Sequence, residues 1–168
     1  RSFGGGDRSP PRSGLRRYTE RVTNGMTIWH GGTKPDLATM TALGAQTMPG
    51  LLGIEFIDAG DDWVSARMPV DRRTHQPFGR LHGGASVALA ETVASMGGAM
   101  TVDLSKQTIV GLEINANHIR PAMSGYVTAT ATAEAIGRTT QVWTIRITND
   151  EGKLVCLSRI TLAVIAAA

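Results

Sequence analysis

The sequence contains a single cysteine, and this scarcity limits the compartment in which the chain can work. One thiol, Cys156, cannot form a disulfide within the chain, so we expect a reducing, cytoplasmic environment. Cys156 lies in an apolar alternating run from Leu154 to Val164, where we expect a small buried side chain. No internal repeat is visible, and the 168 residues suit one domain with one core.

An excess of basic charge is absent from most of the chain, although the pI is about 9.5. Six of the 17 basic residues lie in the first 25 positions, which have a net charge of +4, whereas the rest has a net charge of −1. The domain at 26–168 therefore has no basic stripe, and no nucleic-acid partner is expected. Residues 1–25 have no apolar period and no secretory signal, so we expect a disordered or non-native basic tail, with Met26 as a natural start and an arginine-rich transit peptide as the alternative.

Alternating apolar and polar residues predict six strands and one long helix. Two strands come first, then the helix, then four more strands, so the predicted class is α+β with an antiparallel sheet. The expected elements are a short helix at 36–48, strands at 52–57 and 63–70 around a hairpin turn at 59–62, a long helix from His82 to about Val102, and strands at 108–120, 126–135, 141–148 and 154–165.

The long helix carries one charge. Glu91 is the only formally charged residue between Leu81 and Val102, and its apolar neighbours predict a helix that is buried all round. Glycine pairs near both ends, Gly83-Gly84 and Gly97-Gly98, dilute the hydrophobicity, so no membrane span is expected.

A buried carboxylate such as that of Glu91 is costly unless it is paired or protonated. No basic residue lies three or four positions away, which excludes a pair along the helix. Ser95 does lie four positions on, on the same face. Glu91 is then either a structural glutamate tied to a distant arginine or amide, or a nucleophile or general base oriented with its water by Ser95.

The start of the helix suits a developing negative charge. Leu81-His82-Gly83-Gly84 presents free backbone N–H groups at the positive end of the helix dipole, and its glycines allow close approach. Such donors stabilise a carbonyl oxygen that gains charge in a transition state, and the amide of Gln76 in the preceding loop adds another. The other interpretation is a plain helix cap with an oriented His82.

Helix geometry keeps the Glu91 carboxylate far from the backbone donors at the start of the helix. Gly83 and Glu91 are eight residues apart, or about 12 Å of helical rise, whereas a nucleophile must lie within about 3–3.5 Å of its target carbon. If both are catalytic, Glu91 must act on a substrate that another subunit holds with His82 and Gly83. We therefore expect a homodimer, or a higher homo-oligomer, with shared active sites.

Several segments together resemble one family. They are Gln76-Pro77-Phe78-Gly79, Leu81–Ser86, Ala90-Glu91 with Ser95, and Val110–His118. These motifs are similar to those of the hotdog-fold thioesterases of the 4-hydroxybenzoyl-CoA thioesterase superfamily. The resemblance is to the bacterial branch that hydrolyses 1,4-dihydroxy-2-naphthoyl-CoA in menaquinone biosynthesis or proofreads enterobactin synthesis. It covers about residues 26–165 and implies a sheet wrapped around one central helix.

The resemblance also implies a role for each candidate residue. Glu91 would be the nucleophile or general base, and Ser95 would place the water. The backbone amides of His82 and Gly83, together with Gln76, would polarise the thioester carbonyl. His118 and Arg120 would lie near the CoA nucleotide, and Thr92 and Met96 would lie beside the acyl pocket. It further implies an acyl-CoA substrate, no metal, no bound cofactor, and a homodimer or homotetramer.

Two other functions stay open at this point. A hotdog hydratase or dehydratase pairs a histidine with a carboxylate at the reacting carbons, and His82 with Glu91 would fill those roles. A non-catalytic acyl-CoA-binding module would bind the ligand without turnover. Release of free CoA thiol distinguishes a thioesterase from both. The acyl group is not specified by the residues, and the resemblance favours aromatic or medium acyl groups.

Overall fold

The computed structural model describes residues 27–167, so the tail expected at 1–25 lies outside the described residues. The helices are α1 (Leu37–Gly44), α2 (Met48–Leu52) and α3 (Gly83–Ala99), with a 3-10 turn at His30–Gly32 before them. The strands are β1 (Glu55–Ala59), β2 (Trp63–Pro69), β3 (Gln107–His118), β4 (Tyr126–Ile136), β5 (Thr140–Asn149) and β6 (Leu154–Ala166). The predicted order of two strands, a long helix and four strands is confirmed.

The six strands form one antiparallel sheet in the order β1-β2-β4-β5-β6-β3. The predicted alternation holds in β4, where Val127, Ala129 and Ala131 are fully buried and Thr128 is only half-buried. Cys156 is fully buried in β6, and this burial raises the pKa of its thiol. The α+β hotdog arrangement, with a sheet around one central helix, is therefore confirmed, and β1 and β3 are its edge strands.

Small residues let α3 lie close to the sheet. A Cβ at Gly97 would be 3.0 Å from Val64 Cγ1 and 3.3 Å from the Trp143 ring. The buried residues of α3 are Ser86, Leu89, Ala90, Val93, Ala94, Gly97 and Gly98. The opposite side, with Glu91 and Ser95, is only half-buried, so the prediction of a helix buried all round is wrong for a single chain. No helix within residues 27–167 is long and apolar enough to cross a membrane.

A buried polar network fixes the end of α3 to the sheet. The fully buried Gln141 donates from Nε2 to Thr101 Oγ1 at 2.8 Å and accepts at Oε1 from Trp143 Nε1 at 2.9 Å. Trp29 stacks on Trp143 with ring centroids 6.5 Å apart and donates from Nε1 to Gly60 O at 2.8 Å. Because each of these groups has a partner inside the protein, the network can be buried at little cost and holds α3 in one position.

The helical segment before β1 differs from the prediction. The sequence predicts one helix there, but the structure has α1 and α2 separated by a turn. Asp36 caps α1 as expected, accepting from Ala38 N at 3.1 Å. Pro49 lies in the first turn of α2, where no intrahelical N–H is needed, and Gly53 ends α2 with a φ of 72°. Because Leu52 completes α2, β1 starts later than the alternation predicts.

Candidate active site

The loop between β2 and α3 is anchored by Asp71. Its backbone oxygen accepts from Thr74 N and His75 N, each at 2.9 Å. The Arg73 guanidinium donates to its carboxylate and lowers the pKa of Asp71 to about 2. Asp71 therefore stays ionised at ordinary pH and keeps the start of the loop in one conformation.

The same loop holds Gln76 in a tight turn. Gln76 N donates to Arg80 O at 2.7 Å, and Gly79 N donates to Gln76 O at 3.1 Å. Gly79 has a φ of 72°, a conformation that favours glycine. The Gln76 side chain accepts at Oε1 from Phe78 N. This bond orients the amide, and the NH2 group is left without a partner among the described residues.

Only one of the two amides expected to bind a carbonyl is free to do so. His82 N donates to Thr74 O at 2.8 Å, and the His82 ring caps α3 by accepting at Nδ1 from Gly84 N at 2.8 Å. Gly83 N has no partner in the described part of the chain. His82 N is therefore engaged within the chain, so of the two expected donors only the Gly83 amide is available, and the His82 ring caps the helix beside it.

Beside this amide lies a pocket of about 320 Å³. Four predicted residues line it: Gln76, Gly83, His118 and Arg120. The His118 ring packs against Gly83, where an added Cβ would be 2.8 Å from Nε2. Arg120 Nη1 donates to Leu154 O at 2.6 Å, which holds the guanidinium against β6. The groups expected to bind the carbonyl and the CoA nucleotide therefore meet in one pocket.

Glu91 lies outside this pocket, about two turns further along α3. Its side chain is half-buried, and a Cβ added to Gly111 of β3 would be 2.7 Å from Glu91 Oε1. Within residues 27–167 no hydrogen bond or ion pair engages the side chain of Glu91, so one chain gives no support to the interpretation of a tied structural glutamate. Ser95 follows one turn later and is also half-buried. One chain therefore keeps Glu91 and Gly83 apart, as the helix geometry predicts.

A second cavity, of about 160 Å³, lies beneath α1 and α2 and is walled on one side by α3. Its lining residues, none of them charged, are Met40, Thr41, Leu43, Gly44, Thr47, Pro49, Ile54, Phe56, Thr92 and Met96. Thr92 Oγ1 donates to Ala88 O at 2.7 Å, so its hydroxyl hydrogen is already engaged. The cavity therefore suits an apolar group of moderate size, and it contains both residues expected beside the acyl group.

The sequence prediction missed Arg80, which lines the 320 Å³ pocket. No carboxylate lines that pocket, so Arg80 and Arg120 give it a positive charge that suits phosphate groups. The position of Arg80 inside the loop motif, between Gly79 and Leu81, was the signal that could have identified it. No cluster of three or more metal-binding side chains occurs within residues 27–167.

This fold, with a lone helix glutamate and a donor at the helix start, is that of a thioesterase. The chain belongs to the thioesterase superfamily, whose family model matches residues 78–156, and it is an enzyme of that class. Three similar proteins illustrate the relationship. A thioesterase from Pseudomonas aeruginosa, solved as a glutamine-to-alanine variant, is 49% identical with a TM-score of 0.82, and the match covers 84% of this chain and 100% of that one.

Two further relatives have names that specify an activity. The 1,4-dihydroxy-2-naphthoyl-CoA hydrolase of Escherichia coli is 47% identical over 138 residues, which are 82% of this chain and 99% of the relative. The proofreading thioesterase EntH of Cronobacter turicensis is 46% identical over 128 residues, which are 76% of this chain and 93% of the relative.

Replacing Arg80 by alanine should weaken the binding of substrates that carry phosphate groups. We expect KM for an acyl-CoA to rise roughly 10-fold while kcat changes less than about 2-fold, because the lost charge-assisted bond would be to a phosphate that takes no part in the reaction. The same acyl group on pantetheine, which lacks the nucleotide phosphates, should show no change. The control is Arg138→Ala, in the exposed turn between β4 and β5. An equal loss on both substrates would contradict a phosphate-binding role.

Proposed function

We propose that the chain hydrolyses an acyl-CoA thioester to the free acid and CoA, with Glu91 as nucleophile or general base. The observation that carries this proposal is the environment of the Glu91 side chain. It is the only charged side chain of α3, it is half-buried, and no described residue pairs with it. Because no side chain occupies its lone pairs, they remain for a water molecule or an acyl carbon.

In the general-base route, a water oxygen bonds to the thioester carbon while Glu91 takes the water's proton. Charge then develops on the carbonyl oxygen, where the Gly83 N–H and the Gln76 amide stabilise it. The C–S bond breaks, and the CoA thiolate leaves and is protonated. In the covalent route a Glu91 carboxylate oxygen attacks the carbon, the C–S bond breaks and the CoA thiolate leaves and is protonated, and water then cleaves the resulting anhydride to release the acid and restore Glu91. Both routes require the same carboxylate, with Ser95 positioning the water.

A second copy of the chain completes the site in this proposal. β3 is a 12-residue edge strand, and no strand within residues 27–167 pairs with its outer backbone groups. Val110 and Leu112 on it are 45% and 61% exposed. A long apolar edge of this kind favours pairing with another chain. The half-exposed side of α3 that carries Glu91 lies beside this edge, so a partner strand would cover both.

The contacts between α3 and β3 support a twofold pairing of this strand. Glu91 contacts β3 at Gly111, and Gly83 contacts β3 at His118. Glu91 and Gly83 therefore lie beside different positions along the strand. In an antiparallel twofold pairing, positions equally distant from the centre face each other. A centre next to Ile114, within about two residues of the midpoint of β3, brings Glu91 of one subunit beside Gly83 of the partner subunit.

The acyl group is assigned to the cavity beside Thr92 and Met96. Its volume of about 160 Å³ is close to the roughly 150 Å³ of an apolar cavity that holds benzene. A cavity of this size favours a ring or a medium acyl chain over a long one. The relative named for 1,4-dihydroxy-2-naphthoyl-CoA supports that thioester as a candidate substrate, which would place the reaction in menaquinone biosynthesis.

The two alternative functions have less support. A hydratase would need the His82 ring at the reacting carbons, but Nδ1 of His82 is engaged by Gly84 N in the helix cap. A non-catalytic binding module would not need an unpaired carboxylate at Glu91. Membership of the thioesterase superfamily also favours hydrolysis over both.

Replacing Glu91 by glutamine keeps the shape of the side chain and removes its charge. Turnover should fall at least ~10²-fold while substrate still binds, because the amide can neither accept the proton nor attack the thioester. Thiol release measures turnover, and isothermal calorimetry measures binding. The matched control is Glu134→Gln, an exposed position on β4. A folded Glu91→Gln enzyme with unchanged turnover would contradict the mechanism.

The acyl cavity generates a separate prediction about substrates. In a thiol-release screen, kcat/KM for benzoyl-CoA, 1,4-dihydroxy-2-naphthoyl-CoA and hexanoyl-CoA should exceed that for palmitoyl-CoA by at least about 10-fold, since a long chain cannot be enclosed. A screen in which only long-chain or carrier-protein-bound thioesters react would overturn the assignment of this cavity.

A further inference from the structure

Gly111 lies at an irregularity of the edge strand. In the ladder between β3 and β6, Gly111 pairs with Leu162 and Glu113 pairs with Thr161, so Leu112 is an extra residue and forms a β-bulge. Bulges often occur beside active sites, where they change the direction of the strand. The φ of Gly111 lies outside the left-handed region, so its backbone conformation does not itself require glycine.

The absence of a side chain at Gly111 bears instead on the space available to the Glu91 carboxylate. A Cβ at this position would be 2.7 Å from Glu91 Oε1, and apart from the chain neighbours of Gly111 no other described residue comes within 4 Å of it. Ordinary contact begins at 3.4 Å, so alanine would force the carboxylate to retreat by about 0.7 Å or more. The missing side chain therefore creates the space in which the Glu91 carboxylate lies.

This contact matters because Glu91 has no polar partner among the described residues. Its carboxylate position follows from the backbone of α3 and from the surface against which it packs. We propose that Gly111 is a positioning residue: by lacking a side chain, it admits the Glu91 carboxylate to the edge of β3 and sets its distance from the acyl carbon. The inference rests on the proposed catalytic role of Glu91.

A shift of the carboxylate should affect the chemical step more than binding. Misplacing a reacting group by about 1 Å can cost as much as 10²-fold in rate. Gly111→Ala should therefore lower kcat roughly 10- to 100-fold and change KM less than about 3-fold. A merely structural role for Gly111 would not produce this separation of kcat from KM.

The test is a double-mutant cycle with Glu91→Asp, whose carboxylate is one methylene shorter and does not reach the added methyl group. Turnover is measured for the parent, the two single variants and the double variant, with oligomeric mass checked by light scattering. In the Glu91→Asp background, Gly111→Ala should lower kcat less than about 3-fold. Equal losses in both backgrounds would overturn the proposal.

If Gly111→Ala folds poorly, the melting temperatures of the variants provide a second test of the steric conflict. A steric conflict predicts that Glu91→Asp restores much of the melting temperature lost by Gly111→Ala, and an unrestored melting temperature would refute the conflict. Failure of the proposed function has a different signature. In that case Glu91→Gln leaves turnover intact in the parent chain, whatever the cycle shows.

Discussion

The rigid helix α3 keeps Gly83 and Glu91 about 12 Å apart, and the rest of the proposed site depends on that separation. The helix has little freedom to bend, because Gly97 packs closely on Val64 and Trp143 and the Gln141 network holds its end. An amide at its start and a carboxylate two turns later can therefore meet one substrate only across two copies. The free edge of β3 and the half-exposed side of α3 are the features that such an assembly requires.

In the proposed function, the two cavities would bind chemically different parts of the substrate. The pocket with Arg80 and Arg120 is positive and suits the phosphates, whereas the cavity with Thr92 and Met96 is uncharged and suits the acyl group. The Glu91 carboxylate, which lines neither cavity, has no salt bridge among the described residues. A cationic partner would stabilise the charge of Glu91 and weaken it as a base or nucleophile, so partial exposure together with close packing is the better solution for catalysis.

Most of the fold follows from local patterns in the sequence. The alternation in β4 to β6 predicts each strand to within about two residues, because one face of each strand is buried and the other is not. The break between α1 and α2 is not predicted, since Leu37, Met40, Leu43 and Met48 continue a near-helical spacing across the turn. Local spacing does not reveal the break because the apolar period continues through it, although Leu43 and Met48 are largely exposed in the structure.

The candidate site also has features that the sequence reveals and others that it does not. Glu91 and the glycines at the start of α3 are visible as an isolated charge and a donor motif. The engagement of His82 N by Thr74 O depends on how a loop folds back, and the contact of Gly111 with Glu91 joins residues that are far apart in sequence. Such relations arise only in three dimensions, so the sequence alone reveals neither the engagement of the His82 amide nor the contact between Gly111 and Glu91.

The shared site is tested most directly by mixing two inactive variants, Glu91→Ala and Gly83→Val, under conditions in which subunits exchange. Valine at position 83 would collide with the His118 ring, so this variant must first be shown to fold and associate. A mixed dimer then has one site with both lesions and one with neither. Random exchange should restore about a quarter of wild-type turnover if the sites act independently. Verified exchange without any recovery of activity would contradict a site built from two subunits.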